Sequence, residues 1–130
     1  MARRYLVGHA PGRPEHLANW TGITLGEARD GFATIGDEYV WVDEGLFAPG
    51  ALANTPMPSP RLLGAFDPLL HGWVSREPFV GRHPGVVTTN GVFRPVALVD
   101  GWVGATWGLP AGRPTVVPLE RLSARVRRAL

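Results

Sequence analysis

Apolar positions over the first 47 residues recur at helical spacing, and proline or glycine cuts them into short runs. Tyr5 and Leu6 lie in a run over 3–10 that Pro11 and Gly12 stop, which predicts a first short helix. Pro14 suits a first helical position and Glu15 favours a helix N-terminus. Leu17, Ala18 and Trp20 then form an apolar stripe that Gly22 ends. Thr24 and Glu27 stand three apart, the spacing of a capping box, so a third helix starts near Leu25. Leu25, Ala28, Phe32 and Ile35 make its inner face, and Gly36 closes it. Residues 38–42 (EYVWV) are strand formers, and a turn at 43–45 leads into a second short strand over 46–48.

The pattern changes at 48–60 (APGALANTPMPSP), where four prolines exclude a helix or a central strand. We read it as a linker between a module at 1–47 and a second at 61–130. There Asp67 followed by Pro68 predicts a capped helix reaching about residue 73. Residues 76–90 read as an irregular loop with a short strand at 86–89. Residues 93–99 alternate as a strand around Arg94, Asp100-Gly101 is a two-residue hairpin turn, and 102–107 is the return strand. A turn at 110–114, a strand at 115–118 and a helix over 119–130, with Leu122, Val126 and Leu130 on one face, complete the chain. The expected class is α+β. A winged helix of three short helices plus a β-hairpin is followed by a small antiparallel β-sheet or barrel-like domain with a C-terminal helix. The third helix is the recognition helix in that plan, with Gly26, Arg29, Asp30 and Ala33 on its outer side.

Composition narrows the chemistry. All 13 basic residues are arginine, against 11 acidic ones, and a net charge of +2 does not by itself establish nucleic-acid binding. Cysteine is absent, which removes disulfides, thiolate nucleophiles and Cys-ligated metals. The histidines His9, His16, His71 and His83 lack metal-ligand spacing, so no metal and no cofactor is expected. Asp67 and His71, four apart on a helix, suit a shared proton or metal; the alternative is that Asp67 caps and His71 packs. Ser59, Ser75 and Ser123 lack a nucleophile-elbow context. No apolar run approaches the ~18 residues that span a bilayer, no secretory signal opens the chain, and a cytoplasmic location without membrane contact is expected.

Trp20, Trp41, Trp73, Trp102 and Trp107 either stack on bases or fill cores, and Trp102, after the Asp-Gly turn, is expected to be the most exposed. Arg125, Arg127 and Arg128 either form a basic end or favour a helix C-terminus. Arg76, Arg82, His83 and Arg94 come from one loop and strand that a hairpin layout gathers on one side.

Several motifs in order carry a resemblance. They are Arg3-Arg4-Tyr5-Leu6, the run from His9 to Glu15, Trp20-Thr21-Gly22, the run from Leu62 to Trp73 with Arg76, Thr89-Asn90-Gly91-Val92-Phe93-Arg94-Pro95-Val96, Asp100-Gly101 and Gly104-Ala105-Thr106-Trp107. Together they resemble the bacterial winged helix DNA-binding domain-containing family, which includes crosslink-repair DNA glycosylases of the AlkZ type, in its C-terminal portion. Phe66, Asp67, His71, Asn90 and Trp107 are the motif positions most worth following. The resemblance implies tandem winged helices ending in a β-barrel-like domain. It also implies removal of alkylated or crosslinked bases from DNA by a Gln-x-Gln or Gln-x-Asp motif that positions water. This sequence contains no glutamine, so no catalytic residue follows from that motif. The leading expectation is therefore a DNA-binding module without activity as an isolated chain. Its backbone contacts would come from Arg3, Arg4, Arg13, Arg29, Arg76, Arg82 and Arg94, with His83 beside them. The second reading is half of a split or truncated glycosylase completed by an N-terminal partner chain. The third is a protein-interaction remnant that forms a homodimer.

Overall fold

The computed structural model describes residues 1–42, 46–49, 56–88 and 90–130. The expected turn at 43–45, much of the linker at 48–60 and Thr89 lie outside them. The described residues form an α+β chain with six α-helices, a two-stranded hairpin and a four-stranded antiparallel sheet. The chain divides into one compact unit of Met1–Thr55 with His71–Val74 and a second of Pro56–Leu70 with Ser75–Leu130.

The first unit opens with α1 (Ala2–His9), α2 (Pro14–Thr21) and α3 (Leu25–Ala33). Local chemistry sets each boundary. Pro14 occupies the first turn of α2, and Gly22 ends it at φ +75°, a left-handed cap that costs glycine nothing. Thr24 Oγ1 accepts the Glu27 N–H at 3.2 Å while Glu27 Oε2 accepts the Thr24 N–H at 2.9 Å, so the capping box forms. Ala2, Tyr5, Leu6, Leu17, Ala28 and Phe32 from the three helices, with Ile35 just after α3, make one core. Trp20 departs from the expected apolar stripe of α2: it is 39% exposed, whereas Leu17 is buried in the core and Ala18 packs half-buried against it. After a 3-10 turn at Gly36–Glu38, β1 (Tyr39–Val42) pairs antiparallel with β2 (Leu46–Pro49), Trp41 opposite Phe47.

The second unit is built on a meander in the order β3 (Arg61–Leu63), β4 (Val96–Val99), β5 (Trp102–Gly108) and β6 (Thr115–Pro118). The β4–β5 turn is the two-residue type read from Asp100-Gly101, with φ +48° and +86° and Val99 opposite Trp102. Leu70, Val80, Val86, Phe93, Val96 and Val103 pack as one cluster; Ala97, Ala105 and Leu122 form another.

Several expected elements change. The helix after Asp67 is α4 (Pro68–His71) and ends before residue 73. The loop at 76–90 contains α5 (Glu77–Val80) and a 3-10 turn at Pro84–Val86. The strand expected at 86–89 reduces to a single bridge between Val87 and Phe93, because Val86 closes the 3-10 turn. The terminal helix α6 is Ala124–Ala129, not 119–130: Ser123 Oγ accepts the Val126 N–H at 3.2 Å and sets a later start. Leu119 instead donates its N–H to the Gly104 carbonyl at 3.0 Å.

Candidate nucleic-acid interface

In the first unit the expected phosphate-binding residues Arg3, Arg4 and Arg29 are exposed and Arg13 is half-buried, and carboxylates sit beside most of them. Arg3 lies 2.6 Å from Glu38, and Arg13 and Arg29 lie 3.9 and 4.0 Å from the two oxygens of Glu15. Exposed pairs of this kind are worth about 0–1 kcal/mol, so a phosphate can displace the carboxylate at small cost. Arg29 and Asp30 stand exposed on α3, as do Gly26 and Ala33.

Arg4 lines a cleft of about 490 Å³ with Tyr5, His9, Leu17 and Trp20. His9 organises its aromatic side. Its ring stacks on Tyr5 at 4.9 Å and meets Trp20 at 5.0 Å and Trp73 at 5.4 Å. Tyr5 donates its hydroxyl to the Gly72 carbonyl, and burial pushes its phenol well above the ordinary range. Trp73 donates its indole N–H to the Pro11 carbonyl at 2.9 Å, so this ring is anchored and half-buried. His16 Nδ1, on α2, is buried without a hydrogen-bond partner among the described residues; burial first, and the Arg13 charge second, lower its pKa.

In the second unit, Arg82 and His83 come together and line a cleft of about 370 Å³ with Asp100, Trp102 and Glu120. His83 Nε2 is 3.7 Å from Glu120 Oε2. Arg76 does not join them. Its Nε donates to the Leu70 carbonyl at 3.0 Å and its guanidinium sits 4.9 Å over the Phe93 ring, so it braces the fold. Arg94 is exposed and outside that cleft. Trp41, at 58%, is more exposed than Trp102 at 52%, against expectation.

The motif positions separate by role. Asp67 Oδ1 accepts the Leu69 N–H at 3.0 Å, so it caps α4. His71 is half-buried, and no cluster of three metal-ligating side chains occurs among the described residues. Trp107 donates its indole N–H to the Leu63 carbonyl at 2.7 Å and ties β5 to β3. Asn90 is exposed in a turn. Phe66 is 58% exposed with φ +60°, a strained conformation for an aromatic residue, and its ring contacts Phe93 at 5.3 Å. Sequence reasoning missed this strain, which only backbone coordinates reveal. It also missed α5, which carries Val80 into the wall of the Arg82 cleft. No helix among the described residues is long and apolar enough to cross a membrane.

The chain as a whole has known counterparts. The family model described as DNA glycosylase AlkZ-like matches residues 1–130. The chain belongs to the AlkZ-like DNA glycosylase family. Among solved structures it is similar to the DNA glycosylase AlkZ of Streptomyces sahachiroi, at 27% identity and a TM-score of 0.75. That match covers 95% of this chain and 38% of AlkZ, so the chain spans well under half the length of that relative. No curated protein matches the chain.

Proposed function

We propose that these 130 residues are the DNA-binding C-terminal portion of an AlkZ-type DNA glycosylase, serving repair of alkylated or crosslinked bases in the bacterial cytoplasm. The observation that carries the reading is the match to AlkZ over 95% of this chain and 38% of that enzyme. In this reading residues 1–47 form a winged helix with α3 as recognition helix and the β1–β2 hairpin as wing, 48–60 the linker, and 61–130 the barrel-like domain. Arg3, Arg4, Arg13 and Arg29 contact phosphates from the first unit, and Arg82, His83 and Arg94 from the second.

Catalysis is not assigned to these residues. Removing a base requires a group that positions or activates water beside a developing sugar cation. The glutamine motif that the resemblance implies for that task is not among them, since the sequence has no glutamine. The chain alone is expected to bind a duplex and release no alkylated base, and a partner chain bearing that motif restores release.

Fluorescence anisotropy of a labelled duplex, plain and with an abasic site, tests the reading at two salt concentrations. Binding that weakens steeply with salt supports it, because each displaced phosphate counterion adds to the slope. A flat salt dependence, or no binding at low salt, would sink it.

A further inference from the structure

Trp102 opens β5 directly after the Asp100-Gly101 turn, with its indole 52% exposed. Gly81 backs the ring: a Cβ there would lie 3.3 Å from Cε3 and 3.4 Å from Cζ3. The bare Gly81 backbone, at φ +45°, is what lets the indole approach α5. Two clefts, of about 370 and 510 Å³, open beside it, and Gly81, Arg82 and Trp102 line both. The smaller adds the apolar Val80, Val99 and Val103, two carboxylates, Asp100 and Glu120, and His83, whose Nε2 lies 3.7 Å from Glu120 Oε2.

This mixture excludes simple ligands. A bare phosphate suits Arg82 but is repelled by the carboxylates. A purely apolar ligand would desolvate those carboxylates with nothing to donate to them. A simple cation suits the carboxylates but not Arg82. A flat ring with N–H donors on one edge and a phosphate attached satisfies all three requirements. Bases stack on tryptophan faces, carboxylates accept hydrogen bonds from exocyclic amino groups, and arginine pairs with phosphate.

We propose that this cleft binds one unpaired nucleobase bearing an exocyclic amino group, stacked on Trp102, with its amino group on Asp100 or Glu120 and its phosphate on Arg82. The site rests on the DNA-binding reading only for the source of the base, which is either a free nucleotide or a base turned out of a strand.

Calorimetric titration of the full chain and its variants with AMP, CMP and UMP tests it, and in the wild type the indole N–H signal of Trp102, assigned by its loss in Trp102→Phe, reports on the site. AMP and CMP should bind at least about tenfold tighter than UMP, which has no amino group, and Trp102→Ala should weaken both by about tenfold. Trp102→Phe keeps a stacking ring and most of the affinity, which separates lost stacking from lost folding. Asp100→Asn with Glu120→Gln should abolish the preference for CMP over UMP. Equal affinity for the three nucleotides, no shift of the signal, or undiminished binding by Trp102→Ala would overturn the site. A cytidine oligonucleotide binding more tightly than CMP assigns the base to a strand, and equal affinity assigns it to a free nucleotide; either upholds the pocket. Nucleotide binding without salt-sensitive duplex binding would sink the DNA-interface reading alone, and the reverse would sink this site alone.

Discussion

Gly72 shows how a single hydrogen atom in place of a side chain permits a cluster. A Cβ at that position would lie 2.1 Å from His9 Cδ2 and 2.8 Å from His9 Nε2. The ring cannot simply swing aside, because Tyr5, Trp20 and Trp73 surround it. Gly72→Ala should therefore cost about 1–3 kcal/mol in urea unfolding, the range for overpacking a filled site. Adding His9→Ala removes the clashing ring, so the double variant should lose less than the sum of the two single losses. Strict additivity would mean that the clash is relieved elsewhere. A second residue-scale effect sits at Glu27, whose pKa is lowered first by the Thr24 hydroxyl and then by the Thr24 N–H. A carboxylate with a depressed folded value stabilises the fold above its unfolded value, 4.5, and loses that contribution as pH falls through the folded value. The stability gap between wild type and Glu27→Gln should accordingly be constant at neutral pH and shrink below 4.5. A gap that persists unchanged in acid would show that the ionised form is not the one that caps α3.

Elements with chemical punctuation could be read from the sequence, and elements defined only by packing could not. The helix starts at Pro14 and Thr24 and the turn at Asp100-Gly101 need only local residues, and the structure has each. By contrast α5 is four residues, Glu77–Val80, too short to show a helical period. The strand β3 is three residues, Arg61–Leu63, and exists because β4 pairs with it. The candidate site divides the same way. Trp102 was placed at the tip of its hairpin by the turn signal, whereas its meeting with Arg82 depends on α5 packing near β5. Arg76 looks like Arg82 in sequence, but a nearby carbonyl and the Phe93 ring claim it. The hairpin itself is testable. Gly101 holds φ +86°, and a Cβ there would come within 2.8 Å of Met57 Cε. Left-handed backbone costs a non-glycine residue about 1–2 kcal/mol, so Gly101→Ala should lower stability by at least that much in thermal or urea unfolding. Asp100→Asn should be nearly silent, since asparagine tolerates positive φ. A silent Gly101→Ala would mean that the turn relaxes to another type at no cost.

At the scale of the whole chain, the question is whether a net charge of +2 is enough to hold DNA. Net charge is the wrong measure, because binding depends on how many cations reach phosphates at once. Arg3 and Arg29 are exposed and Arg13 is half-buried, and among the described residues exposed carboxylates pair with all three. Trading those weak pairs for phosphates releases condensed counterions from the duplex, and that release drives the equilibrium. Each arginine that contacts a phosphate should then reduce the slope of log affinity against log salt by about 1 when replaced by alanine. Arg4→Ala and Arg82→Ala, one from each unit, should each show this loss, weakening binding alike across duplex sequences. Arg76→Ala should leave the slope unchanged and lower stability instead, since its guanidinium is spent on Leu70 and Phe93. If Arg4→Ala alone moves the slope, the first unit holds the duplex by itself and the Arg82 cleft serves another ligand. If neither does, the exposed arginines are solvated surface charges and the DNA contacts of this portion lie elsewhere on it.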